Sequence, residues 1–243
     1  MKLTFLGTRG YIDPVSRRHR RHTSTLVSYR RRRILLDWGE GWGERLARVR
    51  PHAVLITHAH PDHAFGLGSH VHCPVFATKE TWARVGDRVP AERRHRLAER
   101  RRRPIEGMEI EPFPVLHSLR APAVGYRIEA GRVAIFYVPD VVWIPDRAQA
   151  FDGIRVYVGD GATITRNMIR RDPESGEPFG HANIRRQLAW CAAEGVPEMI
   201  VTHCGSDIVG GDERRVGARV RSLAEERGVE VCIAHDGMER VLR

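Results

Sequence analysis

Short runs of alternating apolar and polar residues, rich in β-branched and aromatic side chains, cover residues 2–6, 24–29, 33–37, 53–57, 74–77, 109–117, 123–129, 132–138 and 155–158. Successive side chains of a strand point to opposite faces, so these runs predict strands packed on a core. Ala130-Gly131 lies between two of them and predicts a tight hairpin turn, because glycine accepts the positive φ that such turns require. Further along, the period changes. Ile184, Leu188 and Cys191 recur at one helical face behind Asn183, and Val216, Val220 and Leu223 do the same behind Asp212. Asn and Asp are good N-caps, and Gly195 and Gly228 stop the two helices. Each helix leads into an apolar run, at 198–201 and 229–234, so helix and strand alternate in the last third of a layered α/β chain. A basic stretch at 92–103, closed by Pro104, predicts a solvated helix.

Composition narrows the class. With 243 residues, 42% of them apolar, the chain can build a sizeable core, and one domain over 1–243 is expected. The N-terminus alternates like a strand rather than reading as a signal peptide, and no run approaches the ~18 apolar residues of a membrane span. Cys73, Cys191, Cys204 and Cys232 are scattered without a Cys-x-x-Cys pair, which fits reduced thiols and a cytoplasmic location. The net charge of +10 would attract phosphate. Yet Lys2 and Lys79 are the only lysines, and an arginine skew also follows from G+C-rich codons, so charge alone does not name a nucleic-acid partner. Aromatic residues make up 7% and are not interleaved with basic ones, which gives no basis for stacking along a single strand.

The apolar run Ala53-Val-Leu-Ile-Thr57 leads straight into His58-Ala-His60-Pro-Asp62-His63. Three imidazoles and a carboxylate crowded beyond a buried strand repel one another on protonation unless a cation binds them. Imidazole and carboxylate suit Zn²⁺, Mn²⁺ or Fe²⁺, and the lack of a cysteine in the cluster argues against a thiolate-rich structural site. Pro61 predicts that the ligands sit on a loop.

This segment resembles the His-x-His-x-Asp-His signature of the metallo-β-lactamase superfamily. Other segments match in the order the family requires: Val115-Leu-His117, Tyr137-Val-Pro-Asp140 and Ile200-Val-Thr-His203 each close an apolar run. The resemblance extends from Leu3-Thr-Phe-Leu-Gly7-Thr8 to Ala234-His235-Asp236-Gly237-Met238. It implies a four-layer αββα sandwich holding two divalent metal ions. One ion would be held by His58, His60 and His117 and the other by Asp62, His63 and His203, with Asp140 bridging. Two cations ~3.5–4 Å apart can share a water and lower its pKa, supplying a bridging hydroxide. Asp62 has a second reading, in which it orients the nucleophile.

Within the superfamily, His117-Ser, Gly180-His181 and the closing Asp236-Gly237 resemble the phosphodiesterase branch, which includes ribonuclease Z and the cyclic phosphodiesterase of phosphonate breakdown. The resemblance makes His181, read as opening a helix, the acid that protonates the leaving alkoxide. It also brings the loop after the first strand to the active-site mouth, where Arg17, Arg18, His19 and His22 can contact substrate phosphate. His235 is a further substrate-contact candidate, and Asp236 is read as organising backbone. The chain departs from both relatives: it lacks the cysteines of the phosphonate enzyme's first loop and the long tRNA-gripping insertion of ribonuclease Z. The expected substrate is a small cyclic phosphodiester or a nucleic-acid end. The alternatives are hydrolysis of a lactone, thioester or β-lactam, and a catalytically silent metal-binding regulator.

Overall fold

The computed structural model describes the backbone of residues 1–243 and every side chain except those of Glu44, Leu46 and Ala47. Its first sheet contains β1 (Lys2–Gly7), β2 (Ser24–Tyr29), β3 (Arg32–Leu36), β4 (Ala53–Leu55), β5 (Val75–Ala77) and β6 (Arg94–Arg96). The second contains β7 (Arg103–Ile105), β8 (Met108–Val115), β9 (Ala123–Ala130), β10 (Val133–Tyr137) and β11 (Val156–Asp160). A small hairpin, β12 (Met168–Arg171) with β13 (Pro178–His181), stands apart from both. Of the remaining strands, β14 (Glu198–Thr202) and β15 (Glu230–Ile233) extend the second sheet, and β16 (Met238–Val241) returns to pair with β1 in the first.

Period two explains the layering. Ile34 and Leu36 of β3 face the second sheet, where they join Tyr126, Ile128, Ile135 and Val158 in one buried cluster, while Leu35 between them faces outward onto Trp38 and Ala64. The outer face of the second sheet, with Phe136, Tyr157 and Val201, is covered by helices Arg147–Phe151, Ile184–Ala193 and Glu213–Glu225. Helix, sheet, sheet and helix therefore stack as four layers. Burying each of these large side chains contributes roughly 1.5–3 kcal/mol.

In each sheet one half runs parallel, out to an edge: β3 to β6 in one, and β10, β11, β14 and β15 in the other. Their carboxyl ends open onto one crevice, the usual place for a ligand in such sheets. Two hydrogen bonds tie the sheets together at its floor. The fully buried Tyr126 hydroxyl donates to the carbonyl of Ile56 at 2.6 Å, and the Val124 amide donates to the carbonyl of Thr57 at 3.1 Å.

Three local expectations need correction. Residues 92–103 do not form a helix: β6 runs through them, with Arg94 and Arg96 exposed, His95 stacked on Phe76 at 4.9 Å and Leu97 buried. The period there is two, and the arginines blunt an open sheet edge. Pro61 does not keep the ligand segment in a loop but opens a one-turn helix, Pro61–Ala64, since proline at the first helical position removes an N–H that would have no partner anyway. His181 ends β13 instead of opening a helix, which starts two residues later behind the Asn183 cap.

Candidate metal centre

Four donor atoms meet in front of β4. Nδ1 of His60 lies 2.9 Å from Nε2 of His58 and 3.3 Å from Nε2 of His117, and Oδ2 of Asp140 lies 3.3 Å from Nε2 of His58. Beside them, Oδ2 of Asp62 lies 3.2 Å from Nε2 of both His63 and His203. The same Asp140 Oδ2 reaches Nε2 of His63 at 2.8 Å, so one carboxylate oxygen touches both sets. All seven residues proposed from the sequence as metal ligands come together.

Hydrogen bonds behind the imidazoles decide which nitrogens face inward. The Thr57 hydroxyl has one proton and donates it to the Asp37 carboxylate, so its oxygen accepts from Nδ1 of His58 at 3.0 Å. Nδ1 of His117 donates to the carbonyl of Gly180 at 2.9 Å, and Nδ1 of His63 to Oδ2 of Asp37 at 2.8 Å. In each ring Nε2 is then the nitrogen aimed into the site, a lone pair in the neutral rings of His58 and His117. Lone pairs and carboxylate oxygens this close repel unless a cation lies among them. Nε2 of His63 and Oδ1 of Asp140 are buried, and the polar atoms beside them at 2.8 and 2.9 Å are not aligned as hydrogen-bond partners, as expected of atoms that converge on an ion. The donor set thus fits divalent metal of the imidazole- and carboxylate-preferring kind.

Electrostatics agree. Burial alone would raise the carboxyls of Asp62 and Asp140, but His63 and His203 beside them hold both well below the ordinary range, and the carboxylates in turn raise those two imidazoles well above theirs, so the pair carries the positive charge that an ion would replace. Burial pushes His58 and His60 below the usual imidazole value and takes His117 down to about 4, leaving those rings neutral and able to bind metal.

The backbone is held in place locally. His203 and Asp37 adopt φ of +50° and +62°, a left-handed conformation costly for non-glycine residues and concentrated at functional sites. Gly39 lies against the ligand helix so tightly that a Cβ there would fall 1.8 Å from the carbonyl oxygen of Asp62. The Trp38 amide donates to the carbonyl of His63, and Glu40 to that of Pro61.

His181 stands at the rim of a cavity of about 400 Å³ that Tyr11, His60, Asp62, His117 and His203 also line. Its Nδ1 lies 2.8 Å from Oδ2 of Asp160. Burial lowers the His181 pKa, but the Asp160 carboxylate outweighs it and raises the net value.

Of the other candidates, His22 stands beside the metal-side cavity, its ring centroid 5.8 Å from that of Tyr11, and the rest lie farther off. Arg17, Arg18 and His19 line a separate cleft against helix Glu213–Glu225, where Arg18 pairs with Glu213. His19 is buried, with Nδ1 2.8 Å from the Thr8 hydroxyl. His22 is buried as well, with Nε2 accepting from Arg9 at 3.0 Å. His235 contacts the carbonyl of Asp236 and does not line the metal-side cavity. Asp236 accepts from Thr8 and from the amides of Arg20 and Arg21, organising backbone as expected. Cys204 is fully buried, its thiol pushed up by burial.

Sequence reasoning missed Asp37, Asp160 and the supporting role of Thr57. A weak signal existed, since Asp37 and Asp160 each end an apolar strand run as the ligands do.

The beta-lactamase superfamily domain pattern matches residues 32–204, and the chain belongs to that superfamily. A ribonuclease Z from Bradyrhizobium diazoefficiens is 40% identical over 70 residues, 27% of this chain. That match spans only 22% of the ribonuclease's own length. Among solved structures, the metallo-beta-lactamase fold protein YhfI from Bacillus subtilis superposes with a TM-score of 0.75 at 16% identity, covering 98% of each chain. A diphosphatase of the PhnP family gives 0.71 at 18% identity over 100% of this chain and 98% of its own. The short form of human tRNase Z gives 0.68 at 18% identity over the whole of both chains. These likenesses establish the fold, and no helix is long and apolar enough to cross a membrane among the described residues.

Proposed function

We propose that residues 1–243 form one hydrolase domain, a dinuclear-metal-dependent phosphodiesterase acting on a cyclic or nucleic-acid-derived phosphodiester. The carrying observation is the Asp140 carboxylate, whose Oδ2 touches His58 of one donor set and His63 of the other. His58, His60 and His117 would hold one ion, Asp62, His63 and His203 the second, and Asp140 both. Zn²⁺ or Mn²⁺ suits these ligands best, with Fe²⁺ also compatible. When bound there, such ions would supply an activated water at neutral pH and offset charge building on the phosphoryl oxygens.

The chain's own residues do the rest. Asp37, Thr57 and the Gly180 carbonyl hold the imidazoles in the tautomer that presents Nε2. His181 is anchored through Nδ1 to Asp160, whose carboxylate raises its pKa and so favours the protonated ring. It would pass that proton to the leaving alkoxide, which suits a general acid better than a purely structural imidazole. The ribonuclease Z match and the likeness to tRNase Z and the PhnP-family diphosphatase favour a phosphodiester over a carboxylic substrate.

The test is turnover of bis(p-nitrophenyl) phosphate against a lactone panel by protein loaded with Zn²⁺ or Mn²⁺. The expected result is phosphodiester turnover that chelator abolishes. It should be slowed about 10²–10⁴-fold in His181→Ala without loss of bound metal. Turnover of lactones alone would refute the proposal.

A further inference from the structure

A second cavity, of about 120 Å³, adjoins the metal-side one and shares Tyr11, His181 and His203 with it. Its walls differ in character. Tyr11, Ile12 and Met168 make it largely apolar, while Arg166 contributes a guanidinium. Among the described residues the Arg166 guanidinium has no carboxylate within ion-pair distance, and it contacts the Met168 sulfur at 3.7 Å.

The Tyr11 ring is 61% exposed, an unusual position for an aromatic side chain. The backbone beneath this exposed ring is ordered. The Gly10 amide donates to the carbonyl of Cys204 at 3.0 Å and the Ile12 amide to that of Gly10 at 2.9 Å. The Arg9 guanidinium donates to the carbonyl of Ile12 and to His22, bracing the turn from below. Gly10 itself packs flat over the His203 imidazole, where an added Cβ would sit 3.0 Å from the ring. The ring is thus held out over the crevice by an ordered support that starts at a metal-site residue. Opposite it, Met168 and Arg166 belong to the segment that continues through the β12–β13 hairpin to His181.

We propose that this cleft is a subsite for the nucleobase of a nucleotide substrate, stacked on the Tyr11 ring, packed by Met168 and hydrogen-bonded at its edge by Arg166. An apolar slot with one aromatic wall and one unpaired guanidinium fits a flat heterocycle carrying acceptor atoms. The location beside His181 places the base within the same ligand as a phosphate at the metal centre. The proposal rests on the phosphodiesterase reading for its substrate, but its test needs no turnover.

The experiment is calorimetric titration of the Mn²⁺-loaded protein with AMP and with ribose 5-phosphate, which share the phosphate and the sugar and differ in the base. Stacking on an aromatic side chain is worth about five- to a hundredfold in affinity. AMP is therefore expected to bind about tenfold or more tightly than ribose 5-phosphate. In Tyr11→Ala the preference should collapse, and in Tyr11→Phe it should persist. Equal affinities in the wild type, or a preference untouched by Tyr11→Ala, would overturn the subsite. A protein that prefers AMP through Tyr11 yet hydrolyses no phosphodiester would refute the reaction and leave the subsite standing. One that turns over phosphodiesters without that preference would do the reverse.

Discussion

Oδ2 of Asp37 lies 2.8 Å from Nδ1 of His63, and both side chains are wholly inaccessible to solvent. The same carboxylate accepts from the amide and the hydroxyl of Thr57. One buried acid therefore orients His63 directly and His58 through Thr57, one imidazole from each donor set.

Asp37→Asn keeps the shape but replaces one acceptor oxygen with a donor, so Nδ1 of His63 loses its partner or its tautomer. Metal affinity should fall about 10–100-fold, read by competition with a chelating dye. An unchanged affinity would show that His63 does not depend on Asp37.

Thr57→Val removes the hydroxyl that joins Asp37 to His58 at nearly constant volume. A buried imidazole N–H is left without an acceptor, and urea denaturation of the metal-free protein should show a loss of about 1–3 kcal/mol.

At Gly39 the constraint is steric. Gly39→Ala puts a methyl group onto the Asp62 carbonyl, so the ligand helix must move away. Overpacking of this kind costs about 1–3 kcal/mol. Here it should also reduce bound metal per chain, whereas an alanine at the exposed Gly153 turn meets no neighbouring atom and should spare it.

The thiols give a pH-dependent check. Burial pushes Cys73 and Cys232 up to about 11 and Cys191 up to about 12, and raises Cys204 as well. A shift of two units lowers the thiolate fraction at pH 8 roughly a hundredfold. All four should react slowly with Ellman's reagent in the folded protein and promptly in guanidinium. Because the folded pKa values exceed the unfolded ones, this contribution to stability is complete below about pH 9. It declines as pH rises toward 11 and beyond.

Much of this was legible in the sequence, for identifiable reasons. The inter-sheet core showed itself through period two in segments such as Arg32–Leu36 and Val133–Tyr137, and the helices Ile184–Ala193 and Glu213–Glu225 through caps and spacing. The seven clustered residues were visible because histidines and aspartates gathered beyond apolar strands are costly to bury unless they share a cation. Residues 92–103 misled because arginines at a sheet edge and arginines on a helix face look alike without a hydrophobic period to separate them. Asp37 and Asp160 were passed over because a single carboxylate at a strand end has no local signature until its histidine partner is in view. Arg17, Arg18 and His19 lie on a different cleft because the chain after Gly10 turns away behind the crevice, where Thr8 and Asp236 hold it.

The central claim is that seven side chains grip a pair of ions across one shared carboxylate. Its most direct test is elemental analysis of the protein after loading with Zn²⁺ or Mn²⁺ and desalting, for the wild type and for Asp140→Ala. Two ions per chain in the wild type, falling to one or none in the variant, is the predicted result. A wild type that retains no metal, or an Asp140→Ala protein that still holds two ions, would contradict it.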